Sequence, residues 1–190
     1  MDIAEQISNM AINHRQGTPV FVHGSSEHQY FDFPKFIMDY ILEDPKSFKL
    51  WKKLIQTCKW FFDKNPIVVI SCLHYNDVDE GCRTCSTANC RDLRDRLIAL
   101  TDTLPFKLWI TERLDIHQKN TAAVGLISHI FKCDFKIIKL FEQKLSFGEF
   151  LFFAPKITCL EVASWLRDSD GKIVPFEKIV ESLPKLHNLT

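Results

Sequence analysis

The sequence predicts a protein of mixed α+β or α/β class, with helices in its N-terminal third and strands alternating with helices in the remainder. Apolar residues recur every three to four positions across residues 31–66, which is the spacing of amphipathic helices. Beyond residue 66, short runs of β-branched and aromatic residues alternate with helical patterns. We therefore expect a flexible N-terminal arm at residues 1–30, a helical unit at 31–66 and a strand–helix region at 67–190.

Residues 31–66 predict two consecutive helices. Pro34 suits the first turn of a helix because its φ is fixed and its missing N–H has no intrahelical partner there. The pair Asp44 and Pro45 ends this helix, and Asp44 or Ser47 is placed to cap the next one. An aromatic run follows Cys58, and a second proline then stops the helix. The apolar positions of the first helix are Ile37, Met38, Ile41 and Leu42, those of the second are Leu50, Trp51, Leu54, Ile55 and Cys58, and the aromatic run is Trp60, Phe61 and Phe62.

This order of residues resembles the F-box, a helical motif that binds the Skp-type adaptor of a cullin-RING ubiquitin ligase. Eight positions that the motif keeps apolar are occupied by Pro34, Ile37, Ile41, Leu42, Leu50, Leu54, Cys58 and either Trp60 or Phe61, of which we take Trp60 as the eighth residue. Lys59 follows the cysteine, as a lysine often does in the motif. Phe33, Lys35 and Phe36 depart from the usual pattern. The resemblance implies that the eight residues bind the adaptor; the alternative is a helical hairpin that only packs against the rest of the chain.

A β-branched run at residues 67–70 predicts a buried strand, and a polar, turn-rich loop is expected at 72–90. The loop contains a C-x-x-C motif at Cys82 and Cys85, with Cys90 five residues later. Together with His74 or Cys72, these three thiols offer the ligand types of a tetrahedral zinc site. The other interpretation is a surface loop that contains cysteines without a metal.

The rest of the chain predicts an amphipathic helix at 91–100 and then a repeat in which a short strand is followed by a loop and a helix. Aligned on Leu108, Ile138 and Leu160, the strands lie 30 and 22 residues apart, and residues 186–189 begin a fourth. This period is typical of leucine-rich repeats, whose strands form a parallel sheet with helices on the other face. The predicted strands are 106–110, 135–140 and 157–162, and the predicted helices are 121–131, 147–153 and 176–183.

The segments that begin at Lys107, Phe150 and Asp170 also resemble the divergent C-terminal region of nematode F-box proteins, in which the F-box precedes a repeat-like α/β domain. With the F-box pattern, this resemblance covers most of residues 31–190. The last residues read as the first half of another strand, so we expect a shortened relative of longer receptors.

The charge balance and the pattern of apolar residues exclude some classes of function. Lys and Arg total 24, equal to Asp and Glu, so the net charge gives no reason to expect nucleic acid or an anionic membrane as a partner. The N-terminus lacks the pattern of a signal peptide and no apolar run approaches a membrane span, so we expect a cytoplasmic or nuclear protein whose seven cysteines are reduced.

The sequence contains no glycine-rich phosphate loop and none of the hydrolase or metalloprotease motifs, and we expect neither catalysis nor a cofactor. The predicted function is that of a non-catalytic substrate receptor that bridges the Skp-type adaptor, and through it the cullin, to an unidentified target protein. The alternative is a small zinc-stabilised protein-interaction domain without a ligase role.

Overall fold

The computed structural model of the chain describes residues 33–76, 81–85, 96–98, 104–117 and 121–189. The mixed class predicted from the sequence is confirmed, because these residues form six α-helices and a sheet rich in parallel strands. The helices are α1 (Lys35–Glu43), α2 (Phe48–Thr57), α3 (Lys59–Lys64), α4 (Ala122–Ile127), α5 (Phe147–Phe153) and α6 (Phe176–Glu181). The strands are β1 (Ile67–Asn76), β2 (Gly81–Cys85), β3 (Arg96–Ile98), β4 (Lys107–Ile116), β5 (Ile130–Cys133), β6 (Ile137–Phe141), β7 (Leu145–Ser146), β8 (Cys159–Ala163), β9 (Leu166–Arg167) and β10 (Asn188–Leu189).

Helices α1–α3 occupy the region where the sequence predicts helices. Pro34 precedes α1, and the Ser47 hydroxyl caps α2 by accepting a hydrogen bond from the backbone N–H of Leu50 at 3.4 Å. The aromatic run after Cys58 forms the separate helix α3, which ends directly before Asn65. The two predicted helices are therefore confirmed, with a third short helix behind them.

The main sheet has the strand order β10-β8-β6-β4-β1-β2-β3. The five strands β10, β8, β6, β4 and β1 pair in parallel with their neighbours. Strands β2 and β3 continue the sheet beyond β1 as antiparallel strands. Strand β4 is long enough to pair with two strands in succession, β5 beside its first half and β6 beside its second half. The predicted parallel sheet is thus present, with an antiparallel extension that the repeat pattern did not indicate.

One face of the sheet carries the larger hydrophobic core. Leu73, Leu114, Ile138 and Leu160 align across four neighbouring strands, and each is completely buried. Helices α4, α5 and α6 contribute buried side chains to the same core, among them Phe150. Helix α5 begins with a reciprocal capping box between Ser146 and Glu149, which satisfies two backbone N–H groups at its N-terminus. This layer matches the predicted arrangement of helices on one face of the sheet.

The opposite face is covered at the beginning of β1 and β4 by helices α1–α3. A second core forms there between helix residues and sheet residues, and Trp109 of β4 lies completely buried in it. The indole N–H of Trp51 donates a hydrogen bond of 3.0 Å to the backbone carbonyl of Ile67 at the start of β1. The N-terminal helices are therefore fixed to the sheet by both apolar packing and a buried hydrogen bond. The residues that form this second core are Met38, Trp51, Ile55, Phe61, Ile67 and Trp109.

Four sequence-based expectations need correction. The expected helix at 121–131 ends at Ile127, and its last two residues belong to β5. The expected loop at 72–90 contains strand residues wherever the structure describes it, namely the end of β1 and all of β2. The expected helix at 91–100 is wrong at Arg96–Ile98, which pairs antiparallel with β2, because cross-strand pairing overrides a weak helical pattern. Residues 91–95 and 99–100 lie outside the described residues.

The repeat alignment on Leu108 is also wrong. Leu108 pairs with Val68 and Ile130 near the start of β4, whereas the residue of β4 beside Ile138 is Leu114. The error arose because β4 extends to Ile116, well beyond the predicted strand at 106–110. The alignment of Ile138 with Leu160 and the presence of a fourth strand at the C-terminal end are both confirmed.

Candidate functional site

The apolar residues of α1–α3 divide into two sets. Met38, Trp51, Ile55 and Phe61 are buried in the core beneath the helices. Of the described residues that match the F-box pattern, only Phe61, the alternative to Trp60, belongs to that buried set. Pro34 and Leu50 are exposed, and the partly buried members are Ile37, Ile41, Leu42, Leu54, Cys58 and Trp60.

Several apolar residues of α1 and α2 are accessible on the outside of the helices. Tyr40, Ile41, Leu50 and Leu54 line a groove of about 150 Å³ between α1 and α2. Three aromatic side chains on and beside α1 are more than half exposed: Phe33, Phe36 and Tyr40. Two of the three departures from the F-box pattern, Phe33 and Phe36, therefore add apolar area to this surface. We refer to Phe33, Phe36, Tyr40, Ile41, Leu50 and Leu54 as the hairpin surface.

A lysine from the sheet fixes the corner between α1 and α2. The ammonium of Lys132 in β5 forms an ion pair with Asp44 and donates a hydrogen bond of 2.9 Å to the backbone carbonyl of Pro45. The same ammonium lies 5.2 Å from the ring centroid of Trp109, within the range of a cation–π interaction. Hydrogen bonds from Lys132 and then from Lys46 lower the pKa of Asp44 to about 2. The hairpin surface is thus held in a fixed position relative to the sheet.

The face of the sheet that carries α1–α3 becomes polar towards the C-terminal ends of the strands. The strand register aligns five charged or titratable residues in one row across the sheet: Arg83, His74, Asp115, Lys139 and Glu161. Lys139 and Glu161 form an ion pair, and His74 Nδ1 lies 3.1 Å from Asp115 Oδ2. Basic and acidic groups alternate along most of this row, which places opposite charges beside each other.

Asp115 is the most buried carboxylate of this row. Its residue is only 8% exposed, and its second carboxylate oxygen lies 3.2 Å from Nε of Arg113. These two atoms lack the alignment of a hydrogen bond, so the contact is purely electrostatic. A buried carboxylate needs such partners, because burial without them strongly disfavours the charged form. Asp115 is therefore positioned between a guanidinium and an imidazole.

Beside this carboxylate, the structure brings two thiols and one imidazole together. Cys72 and Cys85 are directly opposite each other on β1 and β2, and His74 follows two residues after Cys72 on the same strand. The candidate ligand atoms of Cys72, His74 and Cys85 all lie within 4.8 Å of one another. Cys72 is completely buried, Cys85 is 5% exposed, and the His74 side chain is 25% exposed. This cluster contains the donor types that zinc prefers.

The structure does not bring the predicted ligand Cys82 into this cluster. Cys82 pairs with Tyr75 and lies in the larger core on the other face of the sheet. Burial raises the pKa of the Cys82 thiol to about 12, so this side chain stays protonated near neutral pH. Cys90 lies outside the described residues. The sequence motif predicts a site from Cys82, Cys85 and Cys90 with either Cys72 or His74. It indicates neither that Cys72 and His74 lie together nor that the carboxylate of Asp115 is beside them.

A further cavity lies where the loops after β6 and β8 meet. It has a volume of about 630 Å³, and its lining includes Glu142, Lys144, Trp165 and Arg167. Trp165 is 71% exposed, whereas tryptophan side chains are on average largely buried. Beneath it, the buried side chain of Gln143 accepts a hydrogen bond of 3.1 Å from the Ala123 N–H and donates one of 2.8 Å to the Phe141 carbonyl. The cavity therefore has a rigid floor.

Comparisons of the chain with protein-family models, with curated proteins and with solved structures found no match. Within the described ranges, no helix is both long enough and apolar enough to cross a lipid bilayer.

Proposed function

We propose that this protein is a non-catalytic substrate receptor of the F-box type, in which the hairpin surface binds a Skp-type adaptor and the sheet region binds a target protein. One observation carries the proposal: Pro34 and Leu50 of the F-box pattern are exposed, and six further residues of that pattern are only partly buried, although several of the six also pack against the second core. A helical pair that served only the core would have no need for this second apolar face.

The geometry suits recognition of a groove or helix on a partner. Leu50 and Leu54 are one helical turn apart on α2, and Ile41 faces them across the groove from α1. Lysines flank this apolar strip on α2, so the surface has an apolar centre and a charged rim. Contiguous exposed apolar areas of this kind mark sites of protein–protein interaction. The binding mode is that of apolar helix residues inserted into a complementary surface.

The cavity beside Trp165 supports the second half of the proposal. An exposed indole with charged residues around it supplies the aromatic and polar contacts that protein interfaces concentrate. This cavity involves loops of the sheet region, and the hairpin surface involves α1 and α2. One molecule can therefore hold an adaptor and a target through separate residues.

Calorimetric titration with a purified Skp-type adaptor tests the adaptor half of the proposal. We expect saturable binding with one adaptor per chain. The variants Leu50→Asp and Leu54→Asp each place a charge in the apolar centre, and each should weaken binding by at least about 30-fold, the effect of losing a hot-spot residue. Leu50 is 54% exposed, so its replacement leaves the core intact.

Gln56→Asp is the matched control, because it adds the same charge to an exposed position on another side of α2. It should bind the adaptor with the affinity of the unmodified protein. Circular dichroism verifies that all three variants are folded. Adaptor binding by folded Leu50→Asp with undiminished affinity would refute the assignment of the hairpin surface, and absence of binding by the unmodified protein would refute the proposed function.

A further inference from the structure

We propose that Cys72, His74 and Cys85 form a Zn²⁺ site with three protein ligands, in which Asp115 acts as a positioning residue for His74. The site is separate from the hairpin surface and does not depend on the adaptor-binding proposal. It consists entirely of residues on β1, β2 and β4.

The strand register explains why these ligands converge. Cys72 and Cys85 are cross-strand partners, so their side chains leave the sheet on the same face and next to each other. His74 lies two residues beyond Cys72, and side chains two apart on a strand share a face. In a tetrahedral zinc site with bonds of about 2.0 to 2.3 Å, the ligand atoms are roughly 3.3 to 3.8 Å apart. The present spacing of up to 4.8 Å requires only small side-chain rotations to reach that geometry.

Asp115 completes the arrangement around the histidine. Its carboxylate lies 3.1 Å from His74 Nδ1. A histidine that binds a metal through one ring nitrogen almost always donates a hydrogen bond from the other, and a carboxylate is a common acceptor. With Asp115 at Nδ1, the ligand nitrogen would be Nε2. Arg113 Nε lies 3.2 Å from the other oxygen of this carboxylate, so the oxygen that faces the imidazole is not shared with the guanidinium.

The charge and the chemical type of the three ligands favour Zn²⁺ over other metal ions. Two thiolates balance the two positive charges of Zn²⁺, and Asp115 is balanced by Arg113, so the bound site is neutral in its buried surroundings. Thiolate and imidazole ligands favour zinc over magnesium or calcium, which prefer oxygen. The His74 side of the cluster is partly exposed, and a water molecule there would supply the fourth ligand.

Zinc binding releases protons from the cysteine ligands. Two thiols lose their protons as their sulfur atoms bond to Zn²⁺, while the imidazole binds in its neutral form, so two protons are released for each metal ion. The consequence is structural: the metal would tie β2 to β1 at the antiparallel end of the sheet. Zinc binding should therefore raise the melting temperature of the reduced protein.

The first experiment uses the full chain, purified with a reductant, loaded with Zn²⁺ and dialysed into metal-free buffer. We expect one zinc per chain by atomic emission, and Co²⁺ in place of Zn²⁺ should give the intense near-ultraviolet absorption of thiolate–cobalt bonds. Cys72→Ala, Cys85→Ala and His74→Gln should each lose stoichiometric retention. Asp115→Asn should retain the site but weaken it by about 10- to 100-fold, with the melting temperature of the metal-free protein little changed.

Cys82→Ala is the matched control. It removes a buried thiol from the same strand as Cys85, but on the other face of the sheet, so it should retain one zinc. Equal loss of zinc in Cys82→Ala and Cys85→Ala, both folded by circular dichroism, would overturn the proposed ligand set. The proposal also fails if the folded, reduced protein retains no zinc, or if mass spectrometry of that sample shows a disulfide between Cys72 and Cys85.

Discussion

The two faces of the sheet differ in what they bury. One face presents aligned leucine and isoleucine side chains to α4, α5 and α6, and the row from Leu73 to Leu160 is completely buried. The other face packs against α1–α3 at the start of β1 and β4, and further along the strands it carries the row from Arg83 to Glu161 and the cluster of two thiols and an imidazole. Both faces use the same strands and the same register.

The difference shows how one sheet serves two purposes. Alternate residues of a strand point to opposite faces, so one set can be chosen for packing and the other for chemistry. Leu114 and Asp115 are adjacent in β4, yet the first belongs to the larger core and the second lies between His74 and Arg113. Substitutions on the two faces should therefore have different consequences for stability.

The largest effect is expected on the apolar face. Leu114→Ala removes a completely buried side chain from the centre of the larger core. Loss of apolar burial together with the cavity left behind should lower the free energy of unfolding by about 2 to 5 kcal/mol. Urea denaturation followed by circular dichroism measures this change.

Lys139→Ala is the comparison on the polar face. It breaks a partly exposed ion pair with Glu161, which is worth about 0 to 1 kcal/mol. If the two variants were equally unstable, the division of the sheet into a packing face and a polar face would be incorrect.

A smaller effect is expected where α1–α3 meet the sheet. Trp51→Phe keeps most of the buried aromatic volume but removes the donor to the Ile67 carbonyl, leaving that acceptor without its indole partner. An unsatisfied buried polar group costs about 1 to 3 kcal/mol. Hydrogen exchange should show that amides of α1–α3 lose more protection than those of α5, whose packing lies on the other face.

Trp60→Phe is the control for this substitution, because Trp60 is only partly buried and lies at the edge of the same core. It should change protection less than Trp51→Phe does. Equal losses of protection in α5 and in α1–α3 after Trp51→Phe would show that the two faces unfold together and that this hydrogen bond has no local effect.

Much of the fold was predictable, because local signals agreed with tertiary structure. Ser146 is the N-cap of helix α5, the capping box with Glu149 fixes the start of the helix, and its predicted range of 147–153 is confirmed. Strand β1 begins with a β-branched run, and β-branched residues favour strands over helices. Strand β3 was missed because its three residues have no strand signal of their own and depend on pairing with β2. Long-range pairing of this kind is not encoded in a single segment.

The cysteine cluster could be predicted only in part. The C-x-x-C motif suggested a joint site for Cys82 and Cys85, because that spacing brings two thiols together in a loop. In a strand, residues three apart point to opposite faces, so the structure separates these two thiols. The informative spacing was Cys72 and His74, two residues apart in a segment that continues the β-branched run. Asp115 entered the cluster through the pairing of β1 with β4, which the sequence does not show.

The smallest effect concerns the corner between α1 and α2 and depends on pH. Asp44 has its pKa lowered from 3.8 to about 2, first by the hydrogen bond from Lys132 and then by that from Lys46. A carboxyl whose pKa is lower in the folded state adds stability above its unfolded pKa and loses that contribution as the pH falls through the folded value. The stabilisation should therefore be complete above pH 4 and disappear between about pH 4 and pH 2.

Asp44→Asn should remove this part of the pH dependence. Its unfolding midpoint in urea should fall less between pH 4 and pH 2 than that of the unmodified protein. Lys46→Met, which leaves the stronger Lys132 contact in place, should preserve most of the dependence. Identical pH profiles for Asp44→Asn and the unmodified protein would mean that the ion pair between the helices and β5 does not contribute to stability. The attachment of the helices to the sheet would then depend on the Trp51 hydrogen bond, the apolar contacts around Trp109 and the hydrogen bond from Lys132 to the Pro45 carbonyl.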